Sequence, residues 1–135
     1  MKIVVAALLV MLHVQAFSGP NNAQVEAFAR VAAEAANREF SRMPPADEVT
    51  QSQRAYAAGM QIIYEYVLAI RKNASEKHLS AWRASVRSEV FPAACAAMKG
   101  NEFFDNGLVF RYRYLERSGA VLDDFIVNKP SCKGL

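Results

Sequence analysis

From Met60 to Arg71 the chain alternates. Met60, Ile62, Tyr64, Tyr66, Leu68 and Ile70 fall on one side of an extended backbone, and Gln61, Ile63, Glu65, Val67, Ala69 and Arg71 on the other. A period of two in residues this rich in β-branched and aromatic types predicts a strand. A weaker, more polar alternation over Val49–Ala57 predicts a preceding strand at a sheet edge, with Gly59 at the turn between them. Leu108–Glu116 and Val121–Asn128 repeat the pattern around Arg117-Ser118-Gly119-Ala120. If the loop holds two residues, Phe110 meets Val127 and Tyr112 meets Phe125 on one face. On the other face Arg113 then meets Asp124, with Arg111 diagonal to it. A slip by one would break both the apolar and the charge-matched face.

Elsewhere the period lengthens to that of a helix. Over residues 22–40, Val25, Phe28, Ala29, Ala32, Ala36 and Phe40 recur on one stripe, with Asn21 or Asn22 placed to cap it and Met43-Pro44-Pro45 to end it. Asn73-Ala74-Ser75-Glu76 reads as a capping box with Asn73 as cap, although the same residues match a glycosylation pattern. The helix that follows carries Leu79, Trp82, Val86, Val90 and Ala93 on one stripe. Pro92 predicts a kink or a restart near Phe91, and Gly100 an end. The order helix-β-β-helix-β-β gives an α+β fold class: a four-stranded antiparallel sheet packed by helices.

The N-terminus follows other rules. Lys2 precedes an apolar run from Ile3 to Leu12, and Val14-Gln15-Ala16 ends in the small residue a signal peptidase needs. The run is too short to span a membrane, which takes about 17–25 apolar residues. Residues 1–16 are therefore expected to be a removed signal peptide, and 17–135 a single α+β domain with no later membrane span. Neither cysteine lies near the expected cut, which argues against lipid attachment there. The formal charge of +3 is small and interspersed, so nucleic acid is not an expected partner.

Export changes the meaning of the two cysteines. Cys95 and Cys132 are an even pair, and in an oxidising compartment such a pair favours a disulfide. It would staple the end of the second helix to the chain just past the last strand. No C-x-x-C spacing suggests redox work, and two thiols with one remaining histidine are too few for an expected metal site. No cofactor motif is present.

Candidate chemistry is thin. His78, in the first turn of the second helix, would need a positioned partner to act as acid or base, and otherwise reads as a solvated helix residue. Asp123 and Asp124 are neighbours on a strand, so without a bulge they point to opposite faces. Asp105-Asn106-Gly107 lacks the ligand spacing of a calcium loop and reads as a turn. Two surfaces remain. Arg111, Arg113, Tyr114 and Tyr66 form a candidate interaction surface, tyrosine and arginine being common at interfaces. Trp82, Tyr64 and Tyr112 form a candidate ligand pocket between the second helix and the sheet.

The Tyr64-Glu65-Tyr66 strand, the helix cysteine Cys95, the Gly107-led strand with Tyr112-Arg113-Tyr114, and Cys132 together resemble a group of small exported bacterial proteins of unassigned function. The resemblance covers roughly residues 43–132. It implies a periplasmic or secreted α+β protein with the same disulfide, and it implies no reaction. The leading expectation is an exported protein-interaction module without catalysis. Its unknown protein partner would belong to envelope machinery, to an inhibitor or immunity system, or to a host. A small-ligand carrier is the alternative, and a small hydrolase-type enzyme built around His78 is third. The polar first strand leaves an edge through which a homodimer could form.

Overall fold

The structure, a computed structural model, describes residues 19–45, 48–70 and 73–135. The expected signal peptide lies outside them. Helix α1 (Asn22–Arg42) leads into strands β1 (Thr50–Ala58) and β2 (Gln61–Leu68). Helix α2 (Glu76–Met98), the short helix α3 (Glu102–Asp105), strands β3 (Val109–Glu116) and β4 (Val121–Val127) and a 3-10 turn (Pro130–Cys132) complete the chain. The α+β class and the helix-β-β-helix-β-β order are those expected, with α3 as an addition.

The sheet has four strands in the order β1-β2-β3-β4. Each hairpin is antiparallel, but the central pair, β2 with β3, is parallel. The all-antiparallel sheet expected from the hairpins is corrected there. The reason lies in the link: α2 runs 23 residues, about 34 Å of helix at ~1.5 Å per residue. That carries the chain back to the end where β2 began, so β3 starts beside Gln61 and runs alongside it.

The β3–β4 register is the charge-matched one. Phe110 lies opposite Val127, Tyr112 opposite Phe125 and Arg113 opposite Asp124. Near the turn the register shifts, so that Leu115 faces Val121 and Leu122 is the extra residue. The loop is Arg117-Ser118-Gly119 rather than two residues, closed by the Glu116 N–H donating to the Ala120 carbonyl at 2.9 Å. Gly119 takes a φ of 88° there, and the bulge at Leu122 absorbs the odd residue.

Two helix boundaries differ from expectation. The α2 cap is Ser75, which accepts the His78 N–H, and Asn73 stands in the turn before it. Pro92 sits inside an unbroken α2. Pro92 and Ser88 are both exposed, so the carbonyl that loses its partner can turn to water rather than break the helix. At α1 the capping box is complete: Asn21 accepts from the Gln24 N–H, and the Gln24 side chain accepts from the Asn21 N–H, each at 2.9 Å.

Both long helices cover one face of the sheet. The main core joins Val25, Ala29 and Ala33 of α1 to Ala55, Ile62, Phe110 and Val127 of the sheet, with Cys95, Phe104 and Leu108. A second cluster, Leu68, Leu79, Tyr114 and Leu122, closes the start of α2 against the sheet. Asn37 of α1 bonds both main-chain groups of Ala55, accepting its N–H at 2.7 Å and donating to its carbonyl at 2.6 Å. That clasp occupies the middle of the outer edge of β1. At the far end Cys95 and Cys132 are bonded, with Cα atoms 5.6 Å apart, which ties α2 to the chain beyond β4.

Candidate functional site: an aromatic cleft and a charged face

Strand alternation sorts the candidate residues into two groups. Ala55, Tyr64, Tyr112 and Phe125 form one row straight across the sheet on the helix side, and Gln53, Tyr66, Tyr114 and Asp123 form the next. Arg54, Glu65, Arg113 and Asp124 form a row on the opposite face, beside Tyr56, Ile63, Arg111 and Ile126.

The sequence grouping of Arg111, Arg113, Tyr114 and Tyr66 is therefore corrected. The two arginines lie on the face opposite the described helices, while Tyr66 and Tyr114 stack on each other at 5.1 Å among the helix-side rings. Arg113 and Tyr114 are adjacent in a strand, and adjacent side chains cannot share a face.

On the helix side, α1 packs over β1 and β2, and α2 over β4. Between them the floor is aromatic. Tyr112 stands between Tyr64 and Phe125, 5.4 Å from each and stacked on both. Phe40 of α1 meets Tyr64 and Tyr66 edge-on at 6.4 Å, and Trp82 of α2 meets Tyr114 edge-on at 5.4 Å. These rings are half-buried apart from Tyr114, which is buried. Burial pushes the Tyr64 and Tyr112 hydroxyls above their ordinary range and Tyr66 up to about 12. The three pocket candidates thus share this side, but Trp82 touches Tyr114 rather than Tyr64 or Tyr112. The result is a stacked floor between two helices, not a closed chamber.

Arg87 guards one wall. It clamps the buried Asp123 through Nη2 at 2.6 Å and Nε at 2.9 Å, and its guanidinium lies 5.0 Å over the Phe125 ring. Arg83 donates to the Leu122 carbonyl at 2.8 Å, inside the bulge. Neither residue was singled out from the sequence. Their spacing of one helical turn beside Val86 was the available signal.

The opposite face carries a ladder of ions. Glu65, 5% exposed, accepts from Arg54 at 2.6 Å and lies 3.4 Å from Arg113, with Tyr56 donating to it at 3.4 Å. Asp124 is held by the diagonal Arg111 through two bonds of 2.7 Å, and Arg113 approaches it at 3.5 Å. The Arg111 bonds hold the Asp124 carboxyl below its usual range. Three arginines thus share two carboxylates, and Ile126 and Val121 stand exposed nearby. Asp123 and Asp124 do point to opposite faces, each with its own arginine.

His78 is exposed, with Nδ1 2.9 Å from the same Ser75 hydroxyl that caps α2. The contact is local to the cap. Asp105 ends α3 and pairs with Lys129 at 3.0 Å, next to a surface depression of about 510 Å³ beside the disulfide. No described helix is long and apolar enough to cross a membrane.

The type II secretion system pilotin AspS of Vibrio cholerae matches with a TM-score of 0.53 at 22% identity, over 82% of this chain and 94% of the pilotin. The pilotin EpsS of the Vibrio vulnificus type 2 secretion system matches with a TM-score of 0.52 at 15% identity, over 84% and 96%. The fold is shared with pilotins. A candidate secreted protein of Pseudomonas aeruginosa shares it too, with a TM-score of 0.57 at 18% identity over 81% and 96%. Each match is wider than the 43–132 span of the sequence resemblance, so the common fold reaches beyond those residues. No family model matches the chain, and no curated protein matches it in sequence.

Proposed function

We propose that this chain is an exported, non-catalytic protein-interaction module that takes an apolar segment of an envelope protein into the cleft between α1 and α2. The observation that carries the reading is the half-buried floor of Tyr64, Tyr66, Tyr112 and Phe125 between Phe40 and Trp82. Rigid aromatic rings, three of them with polar tips, give large contact area at little entropic cost, and such groups dominate interface energies. The fold shared with two secretion-system pilotins supports a role in the envelope. The Cys95–Cys132 bond supports an oxidising compartment, periplasmic or secreted.

The test is photo-crosslinking in the native host, with a photoreactive residue replacing Trp82 or Tyr66 on the cleft and, as control, Ser85 on the exposed side of α2. One discrete protein adduct from the cleft positions and none from Ser85 is the expected result. Labelling by a small molecule alone would favour a ligand carrier. Equal labelling from all three positions would remove the cleft as the site.

A further inference from the structure

The face of the sheet that no described helix covers has a pattern of its own, separate from the cleft. Across the four strands its middle row reads Arg54, Glu65, Arg113, Asp124: plus, minus, plus, minus. The row to one side reads Tyr56, Ile63, Arg111, Ile126, and the row to the other reads Ser52, Val67, Leu115, Val121. A row of alternating sign reversed end for end is its own complement.

We propose that this face docks onto the same face of a second copy, about a two-fold axis that runs parallel to the strands between β2 and β3. Such an axis sets β1 over the second copy's β4, and β2 over its β3. Arg54 then faces the second copy's Asp124, and Glu65 faces its Arg113, with every pairing repeated by symmetry. In the flanking rows Tyr56 covers Ile126, Val67 covers Leu115, and the Arg111 stem lies on Ile63. An axis across the strands would instead set each charge against its own kind.

Three observations favour a second copy on this face. Ile126, 46% exposed, and Val121, 39% exposed, would each gain cover. Each ladder ion already has a partner within one chain, at 2.6–3.5 Å, so covering the face leaves no ion unpaired, although three arginines to two carboxylates keep one positive charge per face. The competing route to a dimer, pairing through the β1 edge, is obstructed at its middle by the Asn37 clasp on Ala55. Sheets stacked face to face sit about 10 Å apart with strands within about 30° of parallel, which this axis allows. Four strands at ~4.8 Å spacing and about seven residues at ~3.3 Å give roughly 450 Å² in plan per face. With side-chain relief, the two faces together reach the lower end of specific interfaces, near 1,200 Å². That suits a dimer of moderate affinity. Its clefts would open in opposite directions, ready for bivalent capture.

The experiment is sedimentation velocity on the oxidised, exported chain from ~1 µM to ~1 mM, the range of weak to moderate affinity. A concentration-dependent shift from monomer to dimer is expected, and a monomer throughout overturns the proposal. Arg54→Asp and Asp124→Arg should each give monomers, with circular dichroism confirming the fold. Mixing them in equal amounts should restore a heterodimer, because each new charge faces its opposite across the axis. Failure of the mixture to dimerise while both variants are folded would overturn the axis. If either variant does not fold, Ile126→Asp decides: a monomer is expected, and an unchanged dimer would place the contact elsewhere.

Discussion

Arg111 grips Asp124 with two bonds of 2.7 Å although Arg113, not Arg111, lies directly opposite it in the register. The opposed arginine is shared. Glu65 and Tyr56 draw the Arg113 Nη1 toward β2, at 3.4 and 3.3 Å, and the diagonal neighbour takes the carboxylate.

That grip sets an acid dependence. The folded state holds Asp124 below its ordinary pKa, so the unfolded chain binds that proton more readily. The contribution is present above the unfolded carboxylate range, about 4, and is lost as pH falls through the depressed folded value. Thermal unfolding from pH 6 down to pH 2 should show a shallower loss of stability in Asp124→Asn than in the parent. Parallel curves would mean the pair contributes nothing to the acid limb.

The cleft tyrosines give the opposite dependence at high pH. Tyr66 is raised to about 12 from 10.0, and burial raises Tyr64 and Tyr112 as well. Unfolded tyrosines therefore ionise first, and stability should fall as pH climbs from about 10. A titration followed by tyrosinate absorbance should show a late class near pH 12. Uniform titration at pH 10 would mean the floor is open to water.

Much of this was legible from parity alone. The register of Phe110 with Val127 and Arg113 with Asp124 follows from two alternating strands and a turn, and it survives a loop one residue longer because Leu122 bulges. The parallel seam was not legible in the strands. Its direction is set by the length of α2, which no residue of β2 or β3 encodes. The grouping of Tyr114 with Arg113 failed for the reason the hairpin register succeeded: neighbours in a strand face apart. The arginines of α2 were hidden because their partners, Asp123 and the Leu122 carbonyl, lie more than thirty residues away.

The Arg87–Asp123 clamp should be stabilising only as a pair. Arg87→Met leaves an acid of 5% side-chain exposure without its counter-ion, at a cost of roughly 2–4 kcal/mol. Removing both with Arg87→Met and Asp123→Leu should recover at least half of that. Urea unfolding of the three variants forms the cycle, and additive losses would show that the two residues are not coupled.

The disulfide spans 37 residues. On the chain-entropy account, closing a loop of that size stabilises by roughly 3–4 kcal/mol. Reduction, or Cys95→Ala with Cys132→Ala, should lower the urea midpoint and raise the slope, because the unfolded chain without the cross-link exposes more surface. A large fall in slope would indicate that the second hairpin comes away from the helices.

The parallel seam has a consequence for how the chain comes to be. Glu65 and Arg113, paired across it, are 48 residues apart, while each hairpin closes over a few. A chain emerging N-terminus first, from a ribosome or a membrane pore, completes β1 and β2 long before β3 exists. Until then the inner border of β2 is a bare ladder of amides flanked by Ile62, Tyr64 and Tyr66, open to any passing strand. The stretch of chain in greatest need of a chaperone is thus the one that ends in the middle of the finished sheet.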